Sequence, residues 1–357
     1  MMCIPAGSSG TWTSNPPLLS LRRDAPSPED AIRSRLPRPP LARVRRARYS
    51  SGIGGGGVRI LKTATGEVLD VAFSPDCRAV AAAVRDCGLF LWNLDSPTIA
   101  PVRLEASDYL PGGLGFSATG RQLRWQTFTG FRHYDRDTRT ATEPDSPSDA
   151  FGLSEDGAHA LSNTGLPEYT LAGWRRAEGE WVRRWAISTR ELSVLSLTPT
   201  PCGDRFAMLT RTTDGGRWWE NPMRLEVRDA STGGELSSGT YPYSYSARLT
   251  FSPRADQLAG IHGMTLLAWP LPTGGDPQRV QNDSRKHFTA LAYHPGGRQL
   301  LATSNDETVH VFDARSLERV NRYTWQLDRL SAVAVSADGT LAAAGSAGGD
   351  VVVWDLE

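Results

Sequence analysis

Apolar and polar positions alternate along this chain in short runs, and the runs recur. The best preserved begins Val71-Ala72-Phe73-Ser74-Pro75-Asp76, continues as an alternating apolar stretch and ends at Leu91-Trp92-Asn93. Alternation with period two predicts strands. Further copies centre on Phe116-Ser117, Leu153-Ser154-Glu155-Asp156-Gly157, Leu197-Thr198-Pro199, Phe251-Ser252-Pro253, Tyr293-His294-Pro295 and Val335-Ser336-Ala337-Asp338-Gly339. The short phrase in each copy has turn chemistry. Ser suits the first position, Pro presets φ at the second, and Gly relieves strain at the end.

Two intervals repeat in register. The lead residues Phe73, Phe116, Leu153, Leu197, Phe251, Tyr293 and Val335 are separated by 43, 37, 44, 54, 42 and 42 residues. From each lead residue to the residue closing the third strand (Trp92, Tyr134, Trp174, Arg228, Trp269, Phe312 and Trp354) the distances are 19, 18, 21, 31, 18, 19 and 19 residues. Steps of this size are those of four-stranded propeller blades, and there are seven.

The pairs Trp92-Asn93, Tyr134-Asp135, Phe312-Asp313 and Trp354-Asp355 resemble the ends of WD40 repeats. The resemblance covers residues 58–357, and the stretches Lys286 to Asp313 and Val333 to Leu356 are similar to WD40 proteins abundant in GC-rich bacteria. It implies an all-β, seven-bladed propeller. It also implies a closure device: the chain stops at Glu357 just after the third strand of the last repeat, while Val58 to Lys62 has no blade of its own. That N-terminal strand is expected to complete the last blade by pairing residues around Ile60 with those around Val353, removing exposed strand edges. Two departures stand out. No Gly-His dipeptide occurs, so the family's buried Asp-His-Ser-Trp network is not expected in its usual form and apolar packing between blades must carry more of the stability. Repeat three is degenerate, closing near Trp174 and continuing through Trp181 and Trp185.

The bulk composition changes this picture only at the N-terminus. Residues 1–57 hold eight prolines, nine arginines against three acids, and the run Gly54 to Gly57; such a stretch buries too little apolar surface to fold and is expected to be a disordered tail, with residues 58–357 as the propeller. An arm for an acidic partner, a tether and an inert or over-extended start are the readings of it, the last being favoured. The 357-residue chain has a formal net charge of zero, so the remainder carries about −6 and no general nucleic-acid footprint. Cys3, Cys77, Cys87 and Cys202 form no zinc spacing. Cys77 and Cys87 flank a strand of about eight residues, roughly 26 Å when extended, too far for a disulfide. With no secretory signal and no membrane span, the expectation is a cytoplasmic, monomeric protein.

Candidate chemistry is sparse. His133, His159, His262, His287, His294 and His310 are scattered without a metal-ligand spacing; His294 stands where other repeats have Ser or Thr and is expected to cap a turn through a ring nitrogen. Gly52, Gly54 and Gly57 satisfy Gly-x-Gly-x-x-Gly but precede a strand, the wrong context for a phosphate cradle. No nucleophile elbow or Walker lysine occurs, and the acids fall in turns. No cofactor is expected. Trp174, Trp181 and Trp185 are interleaved with Arg175, Arg176, Arg183 and Arg184, a composition seen in single-strand binders, though cation–π pairing on an exposed strand accounts for it equally and nucleic acid is not the favoured partner.

One surface invites docking. The loop between the second and third strands of repeat four is about twelve residues longer than its counterparts and contains Arg217-Trp218-Trp219, and the next connection reads Tyr241-Pro242-Tyr243-Ser244-Tyr245. In the family's geometry both loops emerge on one face, so Arg217, Trp218, Trp219, Tyr241, Tyr243 and Tyr245 form the candidate site for a protein or peptide. The competing reading puts the tryptophans over the rim of blade four and the tyrosines half-buried in strands. The leading expectation is thus a non-catalytic scaffold. Its rival is a propeller enzyme or small-molecule binder using the central channel, and a sensor portion split from a larger signalling protein is a third reading.

Overall fold

The structure is a computed structural model that describes residues 45–46, 57–63, 65–96, 100–104, 113–127, 130–142, 146–147, 150–154, 157–164, 168–212, 223–242, 248–271 and 276–356. Those residues form seven sheets, each built on four antiparallel strands, which in six of the blades follow chain order from the inner strand to the outer. Blade one runs Val68–Phe73, Ala79–Val84, Gly88–Asn93, Val102–Leu104; blade two Gly115–Phe116, Gln122–Thr127, Gly130–Asp135, Thr140–Thr142. Blade three runs Ala150–Leu153, His159–Thr164, Thr170–Ala177, Glu180–Ser188; blade four Leu192–Pro199, Arg205–Thr212, Met223–Asp229, Glu235–Tyr241. Blade five runs Arg248–Phe251, Gln257–His262, Thr265–Pro270, Gln278–Gln281; blade six Phe288–Tyr293, Gln299–Ser304, Thr308–Asp313, Arg319–Thr324. Blade seven takes Leu330–Val335, Leu341–Ser346 and Asp350–Asp355 from the end of the chain and its outer strand, Arg59–Lys62, from the beginning.

That last pairing closes the ring as the sequence implied. Arg59, Ile60, Leu61 and Lys62 lie opposite Val353, Val352, Val351 and Asp350. Lys62 Nζ reaches Asp350 Oδ1 at 2.6 Å, and Arg59 Nη1 donates to the Leu94 carbonyl of blade one at 2.9 Å. Within the segment read as a tail, Arg45–Arg46 lies parallel to the outer strand of blade six, opposite Tyr323 and Thr324.

The turn joining first and second strands is the same device seven times. Its leading residue is Ser74, Ser117, Ser154, Thr200, Ser252, His294 or Ser336. In six blades the hydroxyl accepts the backbone N–H five residues on, as in Ser74 from Ala79 at 2.9 Å and Ser336 from Leu341 at 2.8 Å. In blade six His294 Nδ1 accepts from Gly296 N at 2.9 Å, the capping role expected of it. The fourth turn residue has positive φ throughout, and it is Gly in five blades but Cys77 (φ 58°) in blade one and Ala255 (φ 52°) in blade five. L-residues with a Cβ adopt this conformation at a cost of about 1–2 kcal/mol.

Between blades the packing is mainly hydrocarbon. Among the described residues, six of the seven interfaces hold an apolar cluster. The seam is typical: Val80, Ala82 and Trp92 of blade one meet Ala343, Val351 and Val353 of blade seven. Gly345 fits closely there, since a Cβ on it would lie 2.2 Å from Val68 Cγ1 and force a shift. The missing Asp-His-Ser-Trp network leaves a specific trace. In blade three Trp174 Nε1 donates to Ser162 Oγ at 2.8 Å, two residues beyond its cross-strand partner Ala160. The corresponding residues in blades one and seven are Ala82 and Ala344, and the buried indole N–H groups of Trp92 and Trp354 have no partner among the described residues.

Candidate docking surface

Of the six residues named from sequence, Arg217, Trp218, Trp219, Tyr243 and Tyr245 lie outside the described residues. Their supports are described. The connection 213–222 is carried by Arg205–Thr212 and Met223–Asp229, and residues 243–247 follow directly from the outer strand Glu235–Tyr241. Tyr241 is the correction: it is 0 % exposed and belongs to the core rather than to a surface. It sits opposite Met223 at the end of the outer strand, turned toward blade five. There its ring stacks on Trp269 at 5.6 Å and its O–H donates to the Ile261 carbonyl, while burial pushes the phenol pKa up. On the outer part of the sheet, the buried Glu226 carboxylate takes Arg224 Nε and Arg228 Nε at 2.6 Å each, and Arg224 also reaches Glu235 at 2.8 Å. Blade four is therefore clamped to blade five by a tyrosine and held across its outer strands by a charge chain.

The tryptophans of blade three divide into different roles. Trp174 is bonded to Ser162. Trp185 faces blade four, stacking on Phe206 at 5.6 Å and donating to the Ala230 carbonyl at 2.8 Å. Trp181 faces the other way, half-buried beneath Arg176, whose Cζ lies 5.7 Å from its ring centroid. Arg175, Arg176, Arg183 and Arg184 are exposed on the outer hairpin, whose strands of eight and nine residues are long for this ring.

Between blades two and three no apolar cluster forms among the described residues, and a cleft of about 490 Å³ opens instead. Arg124 and His133 of blade two line one side, Arg176, Glu178 and Trp181 of blade three the other. Arg124 is 8 % exposed and His133 9 %, and the two are cross-strand partners. The Arg124 guanidinium spans the gap, donating to the carbonyls of Ser154 in blade three at 3.3 Å and Phe116 in blade two at 3.2 Å. Sequence reasoning passed over this pair, yet the signal was present. Seven residues after the turn residue the blades read Ala81, Arg124, Leu161, Ala207, Ala259, Leu301 and Ala343. Only repeats superposed on the turn serine reveal that one of seven core positions is charged.

Another buried histidine serves structure. His310, in blade six, is buried between Phe288 and Phe312. Its Nε2 meets Thr308 Oγ1 at 2.8 Å, and burial lowers its pKa to about 4. Among the described residues no group of three or more His, Cys, Asp or Glu is placed to hold a metal ion, and no helix is long and apolar enough to cross a membrane.

A family model described as "WD domain, G-beta repeat" matches residues 57–93, 275–313 and 320–355. These ranges hold the closing strand with the first three strands of blade one, the outer strand of blade five with the first three of blade six, and the outer strand of blade six with the last three strands of the chain, so the chain is similar to WD40 repeats around the seam. Among characterised proteins, the guanine nucleotide-binding protein subunit beta of Solanum tuberosum is 22 % identical over 307 residues, 83 % of this chain and 70 % of that protein. The protein of the same name in Oryza sativa subsp. japonica is 25 % identical over 163 residues, 44 % of this chain. That alignment spans 40 % of the rice protein's length, and the Zea mays relative gives the same coverage.

Proposed function

We propose that this WD40-repeat propeller is a non-catalytic scaffold that presents a docking surface for a protein or peptide, centred on the loops of blades four and five. The similarity to proteins named as beta subunits, components of larger assemblies, extends over 83 % of the chain and is what chiefly supports the reading. The base beneath the loops supports it further. Tyr241, Trp269 and the Arg224–Glu226–Arg228 chain hold blades four and five rigid, and a docking loop on a rigid base loses less entropy on binding. Arg217, Trp218, Trp219, Tyr243 and Tyr245 carry the contact in this proposal, with Tyr241 as their support. The test replaces Trp218 and Trp219 with Ser and measures both melting and capture of partners from the native host. The expected result is a melting temperature within about 2 °C of the parent with specific capture lost; a large stability loss with capture intact would return these residues to a structural role.

A further inference from the structure

We propose that the outer edge of blade six, Arg319–Thr324, is a strand-addition site whose occupant is this chain's own N-terminal segment centred on Arg45–Arg46, so that the segment works as a strap over that edge. The first ground is the pairing itself. Arg45 and Arg46 lie parallel to the outer strand, opposite Tyr323 and Thr324, and among the described residues blade six is the one sheet with a fifth strand. A parallel neighbour cannot be reached through a tight turn, so it has to arrive from another part of the chain. Here the route is short in space. The closing strand Arg59–Lys62 is the outer strand of blade seven, and blade seven packs on blade six, with Trp354 5.6 Å from the Tyr323 ring. Twelve residues separate Arg46 from Arg59, enough to span about 40 Å. One N-terminal stretch thus reaches the edge of blade six before it completes blade seven.

The second ground is that this edge lacks the protection the other blades give theirs. Sheets guard an unpaired edge with a short strand, a proline or outward charges. The outer strands of blades one and two have three residues each, and those of blades five and seven have four. Blade six offers six residues without a proline. Its two arginines are engaged elsewhere: Arg319 Nη1 is held by Asp283 at 2.7 Å and Arg322 Nη2 by Asp306 at 3.3 Å. Val320 meanwhile stands 50 % exposed. The nine-residue outer strand of blade three is longer, but it keeps Arg183 and Arg184 exposed along it, and the seven-residue strand of blade four is weakened by Gly239 in its interior. An edge of this length whose charges are already neutralised is a template for one more strand. A segment tethered to the ring fills it at high effective concentration.

The strap lies on blade six, so it stands or falls separately from the docking loops of blades four and five. Amide hydrogen exchange on the full chain reads it directly. The amides of Arg319–Thr324 that point away from Thr308–Asp313 are expected to exchange about tenfold more slowly than the outward amides of Glu180–Ser188 on blade three. Arg45→Pro combined with Arg46→Pro removes two backbone donors. It is expected to bring the blade-six amides to the blade-three rate while leaving protection at Val351 to Val353 unchanged. Arg45→Thr combined with Arg46→Val keeps the donors and favours a strand, and is expected to leave the edge slow. Four results would overturn the proposal: fast exchange at the edge in the parent, no change in the proline variant, an equal loss in both variants, which would assign the cover to arginine charge, or protection that survives in the proline variant and grows with protein concentration, which would give the edge to a second copy.

Discussion

Blades six, seven and one meet through alanine, valine and tryptophan, whereas blades two and three meet across arginine and histidine. Both regions use the same turn and the same strand order, so the difference lies entirely in which side chains occupy the interface positions. At the seam Ala82 and Ala343 are small enough for the sheets to approach around Trp92, and between blades six and seven Ala344 does the same around Trp354. At blades two and three Arg124 and His133 take equivalent positions, and among the described residues a cleft lies beside them. Among the described residues the ring thus combines six interfaces that hold an apolar cluster with one that holds none. The family model matches the closed region, blades six, seven and one.

The comparison is sharpened most by truncating a tryptophan of the closed region, between blades six and seven. Trp354→Ala, which removes a ring 4.5 Å from Trp325, is expected to cost about 3–5 kcal/mol in urea unfolding; Trp181→Ala, at the open interface, is expected to cost less than about 1 kcal/mol. Similar costs for the two would erase the distinction. Next comes pH. The folded pKa of His310 is about 4 against 6.5 in the unfolded chain, because burial disfavours the cation. The unfolded state therefore binds more protons between these values, and stability falls as pH drops from about 6.5 to about 4, by at most about 3 kcal/mol. Asp306 and Asp283 face it, and their carboxyls are held below their ordinary values despite burial, by hydrogen bonds from Ser284 and Thr308 to the first and from Arg319 to the second. His310→Gln should flatten this part of the profile; an unchanged profile would place the titration elsewhere.

Smaller effects probe the fit of the seam itself. Gly345→Ala is expected to cost about 1–3 kcal/mol, since the new methyl meets Val68 at 2.2 Å. Ala344→Ser offers the orphaned Trp354 indole the partner that Ser162 gives Trp174. It is expected to raise stability by about 1 kcal/mol, and no gain would mean that the seam is too tight to admit the hydroxyl. Cys77→Gly relieves a left-handed turn residue (φ 58°) and should raise the urea midpoint by an amount equivalent to somewhat under about 1 kcal/mol.

Why some of this was legible in sequence and some was not follows from how each feature is encoded. The turns were legible because local backbone chemistry, a side-chain cap at the first position (a hydroxyl in six blades, His294 in the other) and positive φ at the fourth, restricts residue choice seven times in register. Closure was legible because a strand without a blade and a blade without a strand stood at opposite ends of one chain. Tyr241 was misread because the outer strand of a blade alternates like any other strand. Its inward direction depends on register against Met223 and on the bulge near Val227, neither of which is local. Arg124 was missed for the opposite reason: a charged residue in a strand reads as solvent-facing, and only the other six repeats mark its position as interior.

The central claim, a ring tight at its seam and open between blades two and three, is tested most directly by amide hydrogen exchange on the intact chain. The account predicts that Ile60 and Val351 to Val353 exchange among the slowest, near the global limit, while the Gln122–Thr127 and Ala150–Leu153 strands exchange earlier through a partial opening. Equal protection in the two regions, or earlier exchange at the seam, would contradict it.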